Sequence, residues 1–239
     1  MGMSRMAAVA AAMALVAGGS GALAQDNSNI QGEVVVTAQR ASAGYLADVQ
    51  PVVGLRRTAD SAIQRVQFTS DSREEDVRKR EIHAMLEAAI RRAESSGVEL
   101  VTGDFELTRV TLTNYKGLVF QRGSRPDTSE IGLFVKAGLA GSVGSAQERI
   151  DGFVKGVPAT GRALIEKRGG ITLTIKNPDQ YRAEIVRLVA AEGLKTAAAF
   201  GPDYGVDVRG LNEQLAWAQA SPTEVFLYLP YDFTVRPKG

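Results

Sequence analysis

The chain has 239 residues, with 28 Lys+Arg against 27 Asp+Glu, one histidine and no cysteine. This balance leaves no basic footprint for nucleic acid, and the missing thiols exclude both a disulfide scaffold and a lipid-modified cysteine. A single histidine removes most zinc sites and any histidine pair.

Residues 1–24 read as a secretory signal peptide. Arg5 gives a short basic start, Met6 to Ala17 an apolar run, and Ala22-Leu23-Ala24 a small-residue end before Gln25. The run is shorter than the about 20 residues that span a bilayer. Cleavage after Ala24, export to the periplasm and a mature chain without a transmembrane span are therefore expected. Residues 25–50 form a polar, flexible leader. Its exception is Glu33-Val-Val-Val-Thr-Ala-Gln-Arg40, where Val34, Val35, Val36 and Thr37 favour an extended backbone.

The folded domain is expected over 51–237. Val52–Arg57 and Ala62–Thr69 predict a pair of entry strands around Thr58–Ser61, with Val66 and Phe68 turned toward the next element. That element is a long helix, Ser72–Ser96. Ser72 and Glu75 are spaced for a capping box, and Gly97 provides the stop. Ile82, Met85, Leu86, Ala89, Ile90 and Ala93 draw one apolar stripe, with Arg78 outside it. Asp104–Thr113 predicts a strand that changes phase near Thr108-Arg109, the signature of a bulge. Leu118–Gln121 and a strand carrying Ile131, Leu133 and Val135 follow.

Ser145 and Glu148 suggest a second capping box, opening a helix with Ala146, Ile150, Phe153, Val154 and Val157 on one face and ending at Pro158. Gly169-Gly170 precedes the alternating strand Ile171–Ile175. Asn177-Pro178 then opens a third helix, with Tyr181, Ile185, Leu188 and Val189 inward and Gly193 as a possible kink point. The C-terminal part returns to strands, Val206–Val208 and then Glu224–Val235, with Pro230 marking an edge or a bulge. This order is not a steady β-α alternation. It predicts an α+β domain, a mainly antiparallel sheet with helices packed on one side.

Few residues offer chemistry. His83 could serve as a general base, but no Gly-x-Ser-x-Gly elbow accompanies it, and a helical histidine at the solvent edge explains it as well. Asp203 and Asp207 flank Tyr204-Gly205 and could be drawn as an acid/base pair, though a polar turn accounts for them. Gly138, Gly141 and Gly144 lie between a strand and a helix N-terminus but match no phosphate-binding spacing. No catalytic, cofactor or metal residue is therefore assigned. The alternative class is a small periplasmic hydrolase or isomerase using His83 or the Asp203/Asp207 pair.

With this layout the chain resembles the SIMPL-domain family of exported bacterial proteins over about Val52 to Val235. The features that carry the resemblance are the entry strands around Asp60 leading to Val66-Gln-Phe68, and the long helix followed by Gly97-Val98. Others are the strand Ile171–Lys176 feeding Asn177-Pro178-Asp179, and the alanine-and-lysine helix around Ala191, Lys195 and Ala198. In this chain Ala59, not the family's usual proline, precedes Asp60. The resemblance implies oligomeric assembly, an association with oxidative-stress defence, and no catalytic residues. Glu33–Arg40 separately resembles a TonB box, which implies docking by strand addition to a TonB-type envelope protein. The expected activity is thus non-enzymatic, by oligomeric assembly or partner binding, with Val34, Val35, Val36, Thr37, Phe226 and Tyr228 as the partner-binding residues. Phe226 and Tyr228 enter this set as the second face of an edge-like final strand.

Overall fold

A computed structural model describes residues 32–35, 52–123 and 125–239. The expected signal peptide and most of the leader, Val36 and Thr37 included, lie outside the described residues. The architecture is mixed α+β: a large, curled, antiparallel sheet, three α-helices, and two smaller antiparallel units.

The sheet is organised around β3 (Ser61–Ser70), which pairs along its length with β7 (Ser129–Gly138) and with β8 (Leu164–Lys176). Strict alternation in β3 and β7 buries Ala62, Val66 and Phe68 beside Ile131, Leu133, Val135 and Ala137, as a period of two requires. Beyond β8 comes β1 (Glu33–Val35). Beyond β7 come β4 (Glu99–Thr102) and β5 (Thr108–Arg109), and the short β6 (Gln121–Arg122) also pairs with β7.

Helix α1 (Glu75–Ser95) lays Ile82, Met85, Leu86, Ala89, Ile90 and Ala93 on this face. Helix α2 (Val143–Gly156) adds Ala146, Ile150 and Phe153. Direct register partners share a face, and Leu173 stands opposite Ala62. The same layer therefore continues where Leu173 and Ile175 meet Ile185 and Val189 of α3 (Arg182–Ala198) and Val225, Leu227 and Trp217 of the second sheet. Helices α1 and α2 pack on the main sheet, whereas α3 packs chiefly on β9 (Tyr204–Arg209) and β12 (Asp232–Pro237).

Several local expectations are corrected. The entry strands do not pair with each other: β2 (Leu55–Thr58) pairs with β11 (Glu224–Tyr228), which also pairs with β10 (Ala216–Gln219). The long final strand is two strands. Pro230 has no amide to continue a ladder, and after it β12 (Asp232–Pro237) leaves to pair with β9 (Tyr204–Arg209). Ser72 does not cap α1. The cap position is Glu74, without a side-chain bond, while the Ser72 hydroxyl donates to Glu81 at 2.8 Å and Ser70 does so at 2.6 Å. Arg78 is buried at 7 % exposure, not solvent-facing, because its guanidinium donates to the Ser72 and Arg73 carbonyls and to Ser129. The cap of α2 is Ser142, three residues before the expected one, and it accepts the Ser145 amide at 3.1 Å.

Asp104–Thr113 is not one strand. Within it only Thr108–Arg109 forms a strand, pairing with the stronger strand Glu99–Thr102, while Phe105–Leu107 bonds to β1. Gly169-Gly170 does not precede a strand but lies inside β8 as a bulge, with Gly169 at φ +66 and the Gln64 amide donating to the Arg168 and Gly169 carbonyls at 2.7 and 3.1 Å. Gly193 faces β9, where a Cβ would meet Val206 at 3.4 Å, and α3 runs through it as one helix.

Candidate functional site

Among the described residues the opposite face of the sheet carries no helix, yet Ile63, Val35, Val101 and Thr174 on it are buried at 1, 5, 2 and 0 % exposure. The cause is curvature. The sheet curls until β1, at one end, meets Phe105–Leu107, the turn between β4 and β5 at the other. The Val35 amide donates to the Phe105 carbonyl at 3.1 Å and the Leu107 amide to the Glu33 carbonyl at 2.9 Å, beside a Val34–Glu106 bridge. On its other edge β1 pairs with β8, Val34 opposite Ile175 and Val35 opposite Thr174. Three residues of the leader thus fill a strand-shaped slot and satisfy its backbone on both sides.

Side chains define the slot further. The Glu33 carboxylate, 8 % exposed, lies 2.6 Å from the Lys136 ammonium, which is 13 % exposed and also 2.7 Å from Glu99. The Thr174 hydroxyl donates to the second Glu33 oxygen. Burial pulls the Lys136 pKa down, but hydrogen bonding and charge from Glu33 and Glu99 outweigh it, and the net shift is upward. Hydrogen bonding to Lys136 draws the Glu99 pKa below its ordinary value. Trp217, in the second sheet, donates its indole N–H to the Val35 carbonyl at 3.1 Å and packs on Phe105 with ring centroids 5.3 Å apart. Asp60, the residue of the entry resemblance, accepts the Lys176 amide at 2.7 Å just past the paired stretch.

The sequence marked Val34 and Val35 as partner-binding residues on a free peptide. In the structure they are at 0 and 5 % exposure inside this chain's own sheet, so their backbone is not free as it stands. The signal for this was weak, because a valine run shows extended preference without naming its partner strand. Lys136, which completes the slot, carries no sequence signature, whereas the single tryptophan, Trp217, reads as a core or interface residue from sequence and is buried in the core. Phe226 and Tyr228 do lie on the outer face of β11 and stack at 5.6 Å, but β11 is the central strand of its sheet, not an edge. Burial pushes the Tyr228 pKa up.

The chemistry candidates are kept apart. His83 is not at an open solvent edge. It is half-buried with Tyr115 and Phe120 presenting ring edges at 5.7 and 5.1 Å, and its Nε2 has no hydrogen-bond partner. Asp207 pairs with Arg236 at 2.8 Å, and Asp203 lends its carbonyl to the Lys238 amide. Among the described residues, no set of acid, base and nucleophile is assembled around either. The Gly138 carbonyl accepts from Arg149, which ties the glycine connection to α2. Among the described residues no cluster of His, Asp and Glu has the form of a metal site, and no helix is long and apolar enough to cross a membrane.

Burial, reinforced by the Lys116 charge, lowers the His83 pKa below its ordinary 6.5. The unfolded chain therefore binds a proton that the folded chain resists, so stability is retained above about pH 6.5 and lost as pH falls below it. A melting series from pH 7.5 down to 5.5 should show this decline, and His83→Phe should flatten it. An unchanged slope in the variant would remove His83 as the cause.

No family model, curated protein or solved structure matches this chain.

Proposed function

We propose that this chain is a non-enzymatic, exported protein of the cell envelope that works by assembling with copies of itself. One observation carries the reading: α3 is apolar on two sides. Its inner stripe is Ile185, Val189, Gly193 and Ala197, while Ala190, Ala191, Leu194 and Ala198 face outward, with Leu194 64 % exposed and Phe200 just beyond the helix 61 % exposed. An exposed apolar patch marks a contact surface. Tyr204, its ring 5.9 Å from Phe200, extends the same patch.

The sequence features of residues 1–24 support export to the periplasm. The SIMPL-domain resemblance supports assembly and an association with oxidative-stress defence. For a TonB-type partner to take the leader by strand addition, Glu33–Val35 has first to leave its slot.

Light scattering of the mature chain at micromolar concentration tests the reading. The expected result is a mass of two or more chains, reduced to one by Leu194→Asp with Phe200→Asp while the melting temperature stays unchanged. A monomer mass for the unaltered chain would refute it.

A further inference from the structure

The slot that holds Glu33–Val35 has the properties of a binding site. Each contact it makes is to a part of the chain remote in sequence: β8, the Phe105–Leu107 turn, Lys136 and Trp217. It reads an acid at the first position, through Lys136 and Thr174, and a buried valine at the second, where Val34 is at 0 % exposure. A strand without the acid would leave the Lys136 ammonium buried beside fewer partners, which disfavours other occupants. At the third position Trp217 anchors a carbonyl.

We infer that the occupant of this slot in the assembled protein is Glu33–Val35 of a second copy, so that copies are linked by exchange of their leader strands. This rests on the self-assembly proposed above and names how the copies are joined. Sixteen residues, 36–51, separate β1 from Val52. At about 3.3–3.6 Å per residue they reach up to about 55 Å, more than the roughly 40 Å across a domain of this size. The linker is thus long enough to extend past its own domain toward a neighbour's slot. Exchange keeps each contact, because the slots are identical, and its topological cost is small. It also holds two domains together, which makes covering the Leu194–Phe200 surface an effectively intramolecular step.

The chain has no cysteine, so an introduced pair reports without interference. The Val35 N–H and Glu33 C=O point to the Phe105–Leu107 side, which makes Val35 and Thr174 a non-hydrogen-bonded pair with respect to β8. Such pairs hold Cα atoms about 4.5 Å apart, within disulfide range. The full mature chain carrying Val35→Cys and Thr174→Cys is purified reduced, checked by its melting curve, oxidised at micromolar concentration and run on a non-reducing gel. If that pair does not fold, Glu33→Cys with Lys176→Cys, the other non-hydrogen-bonded pair, replaces it. The expected result is that most of the cross-linked protein migrates as covalent dimer or larger, reverting to monomer on reduction. Cross-links confined to single chains overturn exchange, as do thiols that stay free. Light scattering of the same sample separates the two levels: an oligomer with internal cross-links overturns exchange alone, whereas a monomer overturns the assembly as well.

Discussion

Replacing Lys136 with methionine should lower the melting temperature by roughly 10 °C. The change leaves the Glu33 carboxylate, 8 % exposed, without its cation. Removing one partner of a buried ion pair costs about 3–5 kcal/mol, because the remaining charge keeps its desolvation penalty and loses its compensation. For a domain of this size each kcal/mol corresponds to about 2–4 °C. The double variant Glu33→Gln with Lys136→Met should recover most of the loss, since it leaves no uncompensated charge on β1. Thermal melts of the two variants at pH 7 decide the matter. A single variant that melts within about 2 °C of the unaltered chain would show that the pair is solvated and that the slot does not depend on it.

The second large effect concerns Trp217. It is the chain's only tryptophan and is 1 % exposed, and it ties three pieces together: β10 that carries it, Phe105 beneath its ring, and β1 through the Val35 carbonyl. Truncation to alanine removes the ring from the core and should cost about 3–5 kcal/mol. The unpaired Val35 carbonyl adds about 1 kcal/mol. Trp217→Phe restores much of the volume but not the N–H, and should fall between. Denaturant unfolding followed by circular dichroism gives the ranking, and the natural tryptophan's emission, moving to longer wavelength as the ring meets water, reports the same transition in the unaltered chain. If Trp217→Ala and the unaltered chain share a midpoint, the second sheet does not clamp β1.

Both effects centre on residues whose importance appears only when the chain is folded. Lys136 sits in a strand whose alternation was plain from Ile131, Leu133 and Val135, and from sequence it was simply one of the polar positions on the solvent phase. Curling of the sheet turned that phase inward and made the position a buried cation. Trp217 reads as core or interface from sequence and is buried, but its indole partner is a carbonyl 182 residues away, which no local pattern gives.

The sequence by itself determined the class of each strong element and which of its sides would be covered. The α1 stripe from Ile82 to Ala93, the alternation of β7 and of Ile171–Ile175, the α2 face, and Tyr181 before α3 with Ile185 and Val189 in it hold in the structure, because local period and apolar placement are properties of the residues themselves. Leu188, expected inward, is outside the core, and Val186 packs on it instead. Only the tertiary structure decided which elements cover those sides. It sent β2 to β11 instead of β3, divided the final strand at Pro230, and placed Glu33–Val35 between β8 and Phe105–Leu107. Pairing between distant strands is settled by curvature, register and the match of buried polar groups across the whole sheet, and a period of two carries none of that information.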